Sequence, residues 1–260
     1  MGRATALALA KAGADVAVGS LVASQRDSVL LNQNCYTPPD ENLALTADEI
    51  RSHGVRALGI DLDVCSTESV VGSFQAIIDR FGKIDILINA AGTSARSPIT
   101  GHSDQLWGKI LDVNLNGPYR TIKACFPGMV ERRWGRIVNF SSTAAHFGHP
   151  LYSAYCSSKT GLLGLTRCVA LEGAPFGVAC NAICPGYVAT ESCNTALKEE
   201  IAIHALDISL EEYKAQIAGG IPQRRFLTPE EVAGLALYLC REDAFGIEGE
   251  AITMAMGSSW

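Results

Sequence analysis

The stretch Ile84-Asp-Ile-Leu-Ile-Asn-Ala-Ala-Gly92 decides the fold. Its centre, Asp85-Ile-Leu-Ile-Asn89, is apolar at successive rather than alternate residues. A strand with one wet face alternates, whereas a strand buried on both faces does not, and burial on both faces belongs to parallel sheets covered by helices. The run closes in Asn89-Ala-Ala-Gly92, a turn at the carboxyl end of a strand, where open α/β sheets bind ligands.

Working outward, helical periodicity alternates with short β-rich runs, the pattern of a parallel α/β sheet. Helices are expected over Thr5–Ala12, Leu43–Ser52, Thr67–Phe81, Ser103–Arg132, Ser153–Leu171 and Thr228–Leu239. Strands are expected over Asp15–Val18, Arg56–Asp61, Ile84–Asn89, Arg136–Phe140, Val178–Ile183 and Ala251–Met254. Gly117-Pro118 should disturb the longest helix. Thr228 should cap the last helix, with Pro229 in its first turn. Two segments break the rhythm: an insertion over Ser20–Asn42, and a mixed stretch over Thr190–Phe226 with one or two short helices. Loops of that length in a compact domain are usually functional. With no repeat and no linker, residues 1–260 read as a single dinucleotide-binding and catalytic domain, with 20–42 an insertion loop and 190–226 a substrate lid.

Composition excludes several classes. The 260 residues are 48% hydrophobic, 18% charged and 7% aromatic, which excludes wholesale disorder. The formal charge is −6 and no basic run stands out, so neither nucleic acid nor an anionic membrane is expected as a partner. The longest apolar stretches, such as Ala4–Ala10 and Ile86–Ala91, fall far short of the ~18–20 residues of a membrane span. The nine cysteines include no CxxC pair. They suit reduced thiols serving as small apolar residues in a cytoplasmic protein, with no metal site.

The leading chemical candidate is Tyr155-Cys-Ser-Ser-Lys159, whose spacing of four puts phenol and ammonium on one helical face. A neighbouring cation should lower the phenol pKa from ~10 and make Tyr155 a proton donor and acceptor. Ser142 lies just beyond one predicted strand, and Asn114 lies within the longest helix. Pro185-Gly-Tyr-Val-Ala-Thr190 follows another strand as Asn89–Gly92 follows its own. Each also has an ordinary role open to it: a helix cap for Ser142, a satisfied buried amide for Asn114, plain turns for the glycines.

In this order these residues resemble the short-chain dehydrogenase/reductase family, in its single-domain oxidoreductase branch, across essentially the whole chain. Asp63-Val64 and the run Arg225-Phe-Leu-Thr-Pro-Glu-Glu-Val232 match as well. The resemblance implies a Rossmann-like doubly wound parallel sheet. It also implies hydride transfer between NAD or NADP and a small alcohol or ketone, by a homotetramer or homodimer. Catalytic roles fall to Asn114, Ser142, Tyr155 and Lys159. Tyr155 would move the proton, and Lys159 would lower its pKa and hold the ribose. Ser142 would bind the substrate oxygen, and Asn114 would anchor a water chain. The cofactor would lie along Gly2, Ser20, Asp63, Val64, Asn89, Ala90, Gly92, Tyr155, Lys159, Pro185, Gly186, Val188 and Thr190. His146, Phe147, Tyr152 and Tyr187 are the candidate substrate contacts, and they suit an apolar ketone better than a small hydroxy acid.

Two departures bear on cofactor binding. Of the family's Thr-Gly-x-x-x-Gly-x-Gly turn only the last glycine, Gly2, is present, so the first strand and most of the Gly-rich loop are expected to be missing. Met1 then reads as an internal methionine of a longer frame, and an in-frame stop just upstream would refute that. The second strand and the Ile84–Asn89 strand should lose their shared neighbour, and nicotinamide affinity should be poor. The alternative function is therefore a truncated, cofactor-free scaffold or inactive subunit. The second departure is at Gly19-Ser20-Leu21, where the acid that grips the ribose of NAD is lacking; Ser20 and Arg26 could instead admit a 2′-phosphate.

Overall fold

The computed structural model describes residues 1–21 and 41–258. Arg26, Cys35 and nearly all of the 20–42 insertion lie outside the described residues. Helices begin and end where the sequence supplies caps. Ser66 Oγ accepts the Ser69 amide at 3.1 Å to open α3 (Thr67–Phe81), and Gly82 closes it with φ 87°. The other helices before it are α1 (Gly2–Lys11) and α2 (Glu41–Arg51).

The long helix expected over Ser103–Arg132 comes in three pieces: α4 (Asp104–Leu111), a π-helical turn over Asp112–Asn116, and α5 (Gly117–Arg132). Pro118 has no amide to offer the Asn114 carbonyl four residues back, so the α-helical ladder cannot run through unbroken. The Gly117 amide reaches instead to the Asp112 carbonyl, a five-residue step. Asn114 therefore sits in a widened turn rather than in regular helix. Such turns recur at functional sites.

The sheet comes in two parts, all parallel. β1 (Val16–Ser20) pairs with β2 (Ala57–Asp61), Val16 opposite Ala57 and Ser20 opposite Asp61. The other part has the order β3 (Ile86–Asn89), β4 (Gly135–Phe140), β5 (Val178–Pro185), β6 (Ala251–Met254). Among the described residues no strand joins β1 to β3, in line with the expectation that these two lack a shared neighbour. One apolar cluster nevertheless spans the break. Val16 of β1, Val138 and Phe140 of β4 and Ile183 of β5 pack with Ala6, Leu9 and Ala10 of α1. Val232, Ala236 and Leu239 of α9 (Pro229–Leu239) complete it, with α1 lying directly against α9.

Every residue of β4 and β5 is buried, and Cys180 and Cys184 are sealed inside β5. The eight described cysteines are free. On the face of the four-stranded sheet away from α1 and α9 lies a polar chain. Thr121 Oγ1 of α5 donates to Asn89 Oδ1 at 2.6 Å, and Asn89 Nδ2 donates to Asn139 Oδ1 at 2.8 Å. Asn139 Nδ2 then donates to Thr166 Oγ1, at 2.9 Å, on α6 (Ser153–Gly173). Asn89 and Asn139 are register partners, so these bonds fix the carboxyl ends of β3 and β4 side by side. Asn139→Leu strands the Asn89 amide in the interior and should cost about 1–3 kcal/mol. Urea denaturation checks this: the midpoint should fall with the slope unchanged.

Candidate active site

The parallel register brings the carboxyl ends of β3, β4, β5 and β6 to one edge, and the candidate residues collect there. Ser141 and Ser142 follow β4 directly. Ser141 Oγ donates to the Lys159 carbonyl at 3.0 Å. Ser142 Oγ caps the short 3₁₀ turn Thr143–Ala145, accepting the Ala144 amide at 3.2 Å, and also shares a hydrogen bond with the Tyr155 hydroxyl. Cap and partner of the phenol are thus one residue.

Lys159 lies one helical turn beyond Tyr155 on α6. Its Nζ donates to the Phe140 carbonyl at 2.8 Å and stands 5.8 Å from the centre of the Tyr155 ring. Burial weakens this ammonium, bringing its pKa from 10.5 to about 8. Burial likewise pushes the Tyr155 phenol above its ordinary value, against a smaller lowering by Ser142. The expected lowering of Tyr155 by Lys159 is therefore not found. Desolvation outweighs a cation that is itself desolvated and engaged with a carbonyl.

Asn114, fully buried, clamps the loop after β3. Its Oδ1 accepts the Thr93 amide at 2.8 Å, and its Nδ2 donates to the Thr93 carbonyl at 2.8 Å and to Ser158 Oγ at 3.0 Å. Ser158 Oγ in turn donates to the Tyr155 carbonyl at 2.7 Å. The Asn114 side chain thus ties the turn after β3 to α6. Between these groups stands Gly92: a Cβ there would lie 3.6 Å from both Asn114 Oδ1 and Lys159 Nζ. The Lys159 ammonium has three donors and one described acceptor, so a buried cation faces the open backbone of Gly92 with donors to spare.

The other candidate positions fall along the same edge and around the break. Gly2 opens α1, and a Cβ on it would come within 3.2 Å of Ala90 Cβ. The first turn of α1, the positive end of its dipole, thus adjoins the turn after β3. Ser20 closes β1. Asp63 Oδ1 accepts the Cys65 amide at 2.9 Å, and Val64 packs so tightly on Gly117 that a Cβ there would meet it at 2.9 Å. Pro185 closes β5, and the Gly186 amide donates to the Met254 carbonyl at 2.8 Å. Val188 pairs with Leu227, and Thr190 Oγ1 accepts the Cys193 amide to open α7 (Glu191–Ile203). The run Arg225–Val232 braces that loop. Arg225 holds Glu231 by two 2.7 Å bonds and keeps its carboxyl down at about 2, while Glu231 and Thr228 cap α9.

Of the substrate candidates, Phe147 and Tyr152 line up through His149, with ring centres 5.0 and 6.2 Å apart, and Tyr152 lies 5.8 Å from Tyr155. His146 is exposed, and its Nε2 lies 3.4 Å from Thr253 Oγ1. Tyr187 stacks on Phe226 at 5.1 Å. The mixed stretch after Thr190 holds two helices, α7 and α8 (Leu210–Gly220). Residues that the sequence did not single out complete the site: Thr93, Ser158, Asn139, and Arg96, which meets α7. Ser158 alone carried a signal, sitting inside Tyr155-x-x-x-Lys159.

The family described as Enoyl-(Acyl carrier protein) reductase matches residues 1–259. The chain belongs to the short-chain dehydrogenase/reductase family. It is 33% identical over 257 residues to D-beta-hydroxybutyrate dehydrogenase of Rhizobium meliloti (strain 1021), covering 99% of this chain and 93% of that one. NAD⁺-bound xylitol dehydrogenase superposes with a TM-score of 0.87 at 29% identity, over 98% of this chain and 94% of the other. Actinorhodin polyketide ketoreductase with NADPH gives 0.87 at 31% identity, over 98% and 91%. Short-chain dehydrogenase/reductase membership makes the chain an oxidoreductase relative with a Rossmann-like α/β fold. Among the described residues no helix is long and apolar enough to cross a membrane.

The buried Lys159 gives a test that needs no ligand. Its pKa is about 8 in the folded chain and 10.5 unfolded, so between those values the unfolded chain binds the proton more tightly. Stability from this group therefore rises with pH across that window, and below about 8 the burial of the cation costs roughly 3 kcal/mol. Lys159→Met should stabilise the chain at pH 7 relative to the parent, with the gain shrinking by pH 10. Denaturant titrations of both proteins at the two pH values measure the difference.

Proposed function

We propose that the chain is an NAD(P)-dependent short-chain alcohol dehydrogenase/ketoreductase that interconverts a secondary alcohol and a ketone. The observation that carries this reading is the joined set at one sheet edge: the Ser142–Tyr155 hydrogen bond, with buried Lys159 5.8 Å from the phenol ring and 3.6 Å from the Cβ position of Gly92. The residues fit a nicotinamide nucleotide. Lys159 has donors left for ribose hydroxyls, the bare backbone of Asn89–Gly92 admits a flat group, and the first turn of α1 beside Ala90 suits a phosphate. Ser20 at the end of β1 leaves both NAD and NADP open. The bound nicotinamide supplies hydride in reduction and accepts it in oxidation.

The chain's own residues do the rest. Ser142 holds the substrate oxygen beside Tyr155. Tyr155, kept protonated by its burial, delivers the phenolic proton to that oxygen as hydride reaches the carbonyl carbon, leaving a secondary alcohol; oxidation runs the same transfers backward. Lys159 supports the phenolate left behind and is a route for its reprotonation. Asn114 holds the Thr93 turn and α6 in place, a positioning role through its side chain.

A panel of ketones and alcohols with NADH, NADPH and their oxidised forms, followed by nicotinamide absorbance, tests this reading. Turnover is expected, and Tyr155→Phe should lower kcat by ~10²–10⁴-fold with cofactor affinity nearly unchanged. Calorimetry that finds no binding of any nicotinamide would overturn it.

A further inference from the structure

Arg96 lies in the loop after β3, and its side chain is only 6% exposed. Its Nη1 donates to the Ala196 carbonyl and to Glu199 Oε2 at 3.3 Å, and its Nη2 donates to Glu200 Oε2 at 3.0 Å. All three partners belong to α7. The flat face of the guanidinium lies 4.7 Å from the Tyr152 ring centre, and Tyr152 is the aromatic neighbour of Tyr155. Glu200 also bonds the Tyr213 hydroxyl, so α8 is tied to the same point. One side chain therefore joins the loop after β3, the start of α6 and both helices of the lid.

The charge count of this cluster matters as much as its reach. One cation faces two carboxylates, Glu199 and Glu200, whose side chains are 15% and 25% exposed. Both ends of the guanidinium are occupied, and the cluster keeps one negative charge in a partly dry setting. A substrate carboxylate arriving beside Tyr155 would meet, behind Tyr152, a cluster that carries one more negative charge than Arg96 supplies. Like charges brought together across such a contact repel and disfavour the bound state. A neutral carbonyl compound meets no such penalty.

Resting on the oxidoreductase reading above, we infer that Arg96 with Glu199 and Glu200 is a lid latch that selects substrate by charge, holding α7 closed and admitting ketones and alcohols that carry no free carboxylate next to the reacting carbon. Arg96 is a positioning residue here and touches no reacting atom. Removing it leaves two carboxylates facing each other without their cation, and α7 should then lift.

The test has one arm that needs no turnover. Hydrogen exchange on the chain alone should speed up about tenfold or more over Glu191–Ile203 in Arg96→Met, while β4 and β5 stay as slow as in the parent. Unchanged exchange at α7 overturns the latch. The second arm compares acetoacetate with its ethyl ester, which share a carbonyl and differ in charge. The parent should favour the ester by about tenfold or more in kcat/KM, and Glu199→Gln with Glu200→Gln should cut that preference about tenfold by raising kcat/KM for the acid. A parent that uses both equally, or a double variant that keeps the parent's preference, refutes the charge selection. A chain that turns over neither compound nor any ketone counts against the oxidoreductase reading, and the exchange arm still decides the latch.

Discussion

The site depends on one buried bond, from the Lys159 ammonium to the carbonyl of Phe140, the last residue of β4. A cation in the interior is tolerated only where a fixed acceptor meets it, and the paired carboxyl end of β4 is such a place. That bond sets the rotation of α6 about its axis. The Ser141 hydroxyl, bonded to the Lys159 carbonyl, sets its height. Once both are set, Tyr155 can only arrive beside Ser142, and Ser158 can only meet Asn114. The polar chain from Thr121 to Thr166 does the same for β3 against β4, so that the Gly92 turn is held at the mouth rather than merely connected to it.

The sequence made much of this legible, for reasons that can be named. Four-residue spacing on a helix placed Lys159 near Tyr155, and the apolar run before Asn89 placed its turn at the ligand edge of a parallel sheet. The strands and most helices came within a few residues of their bounds because caps such as Ser66, Thr228 and Gly82 are local signals. Non-local physics was out of reach. Nothing near Asn139 announces its partners in three other elements, and Arg96 meets carboxylates a hundred residues away. The sign of the Tyr155 shift went wrong for the same reason: spacing reports a neighbouring charge and is silent on desolvation, which here dominates.

Among the described residues the break between β1 and β3 is spanned by packing, aided by the Arg120 guanidinium, which donates to the Val64 carbonyl at 3.1 Å. β4 and β5 are paired on both sides and fully buried, whereas β1 with β2 stands apart from the larger sheet. What holds them is the apolar cluster under α1 and α9, in which small residues such as Ala6, Ala10 and Ala236 allow close approach. Apolar packing is non-directional, so it sets distance better than register. The parts of the site that rest on β3, β4 and β5 therefore share one hydrogen-bonded register, and Gly2 and Ser20 are set against them through the cluster under α1 and α9.

The remaining order in the site runs along one face of α6 and its entry. Tyr152 stands three residues before Tyr155 and Lys159 four after it, so all three share a helical face. At one end of that stripe Lys159 is fastened to the sheet through Phe140; at the other Tyr152 is covered by Arg96, which is fastened to α7. The Tyr155 phenol thus stands between an anchor on the sheet and one on α7. The Tyr152 ring lies between Arg96 and Tyr155, while the Ser142 bond holds the phenolic hydroxyl from the side of the sheet. Chemistry that needs a fixed proton and an opening mouth can be served by one helix only if its two ends are held so differently.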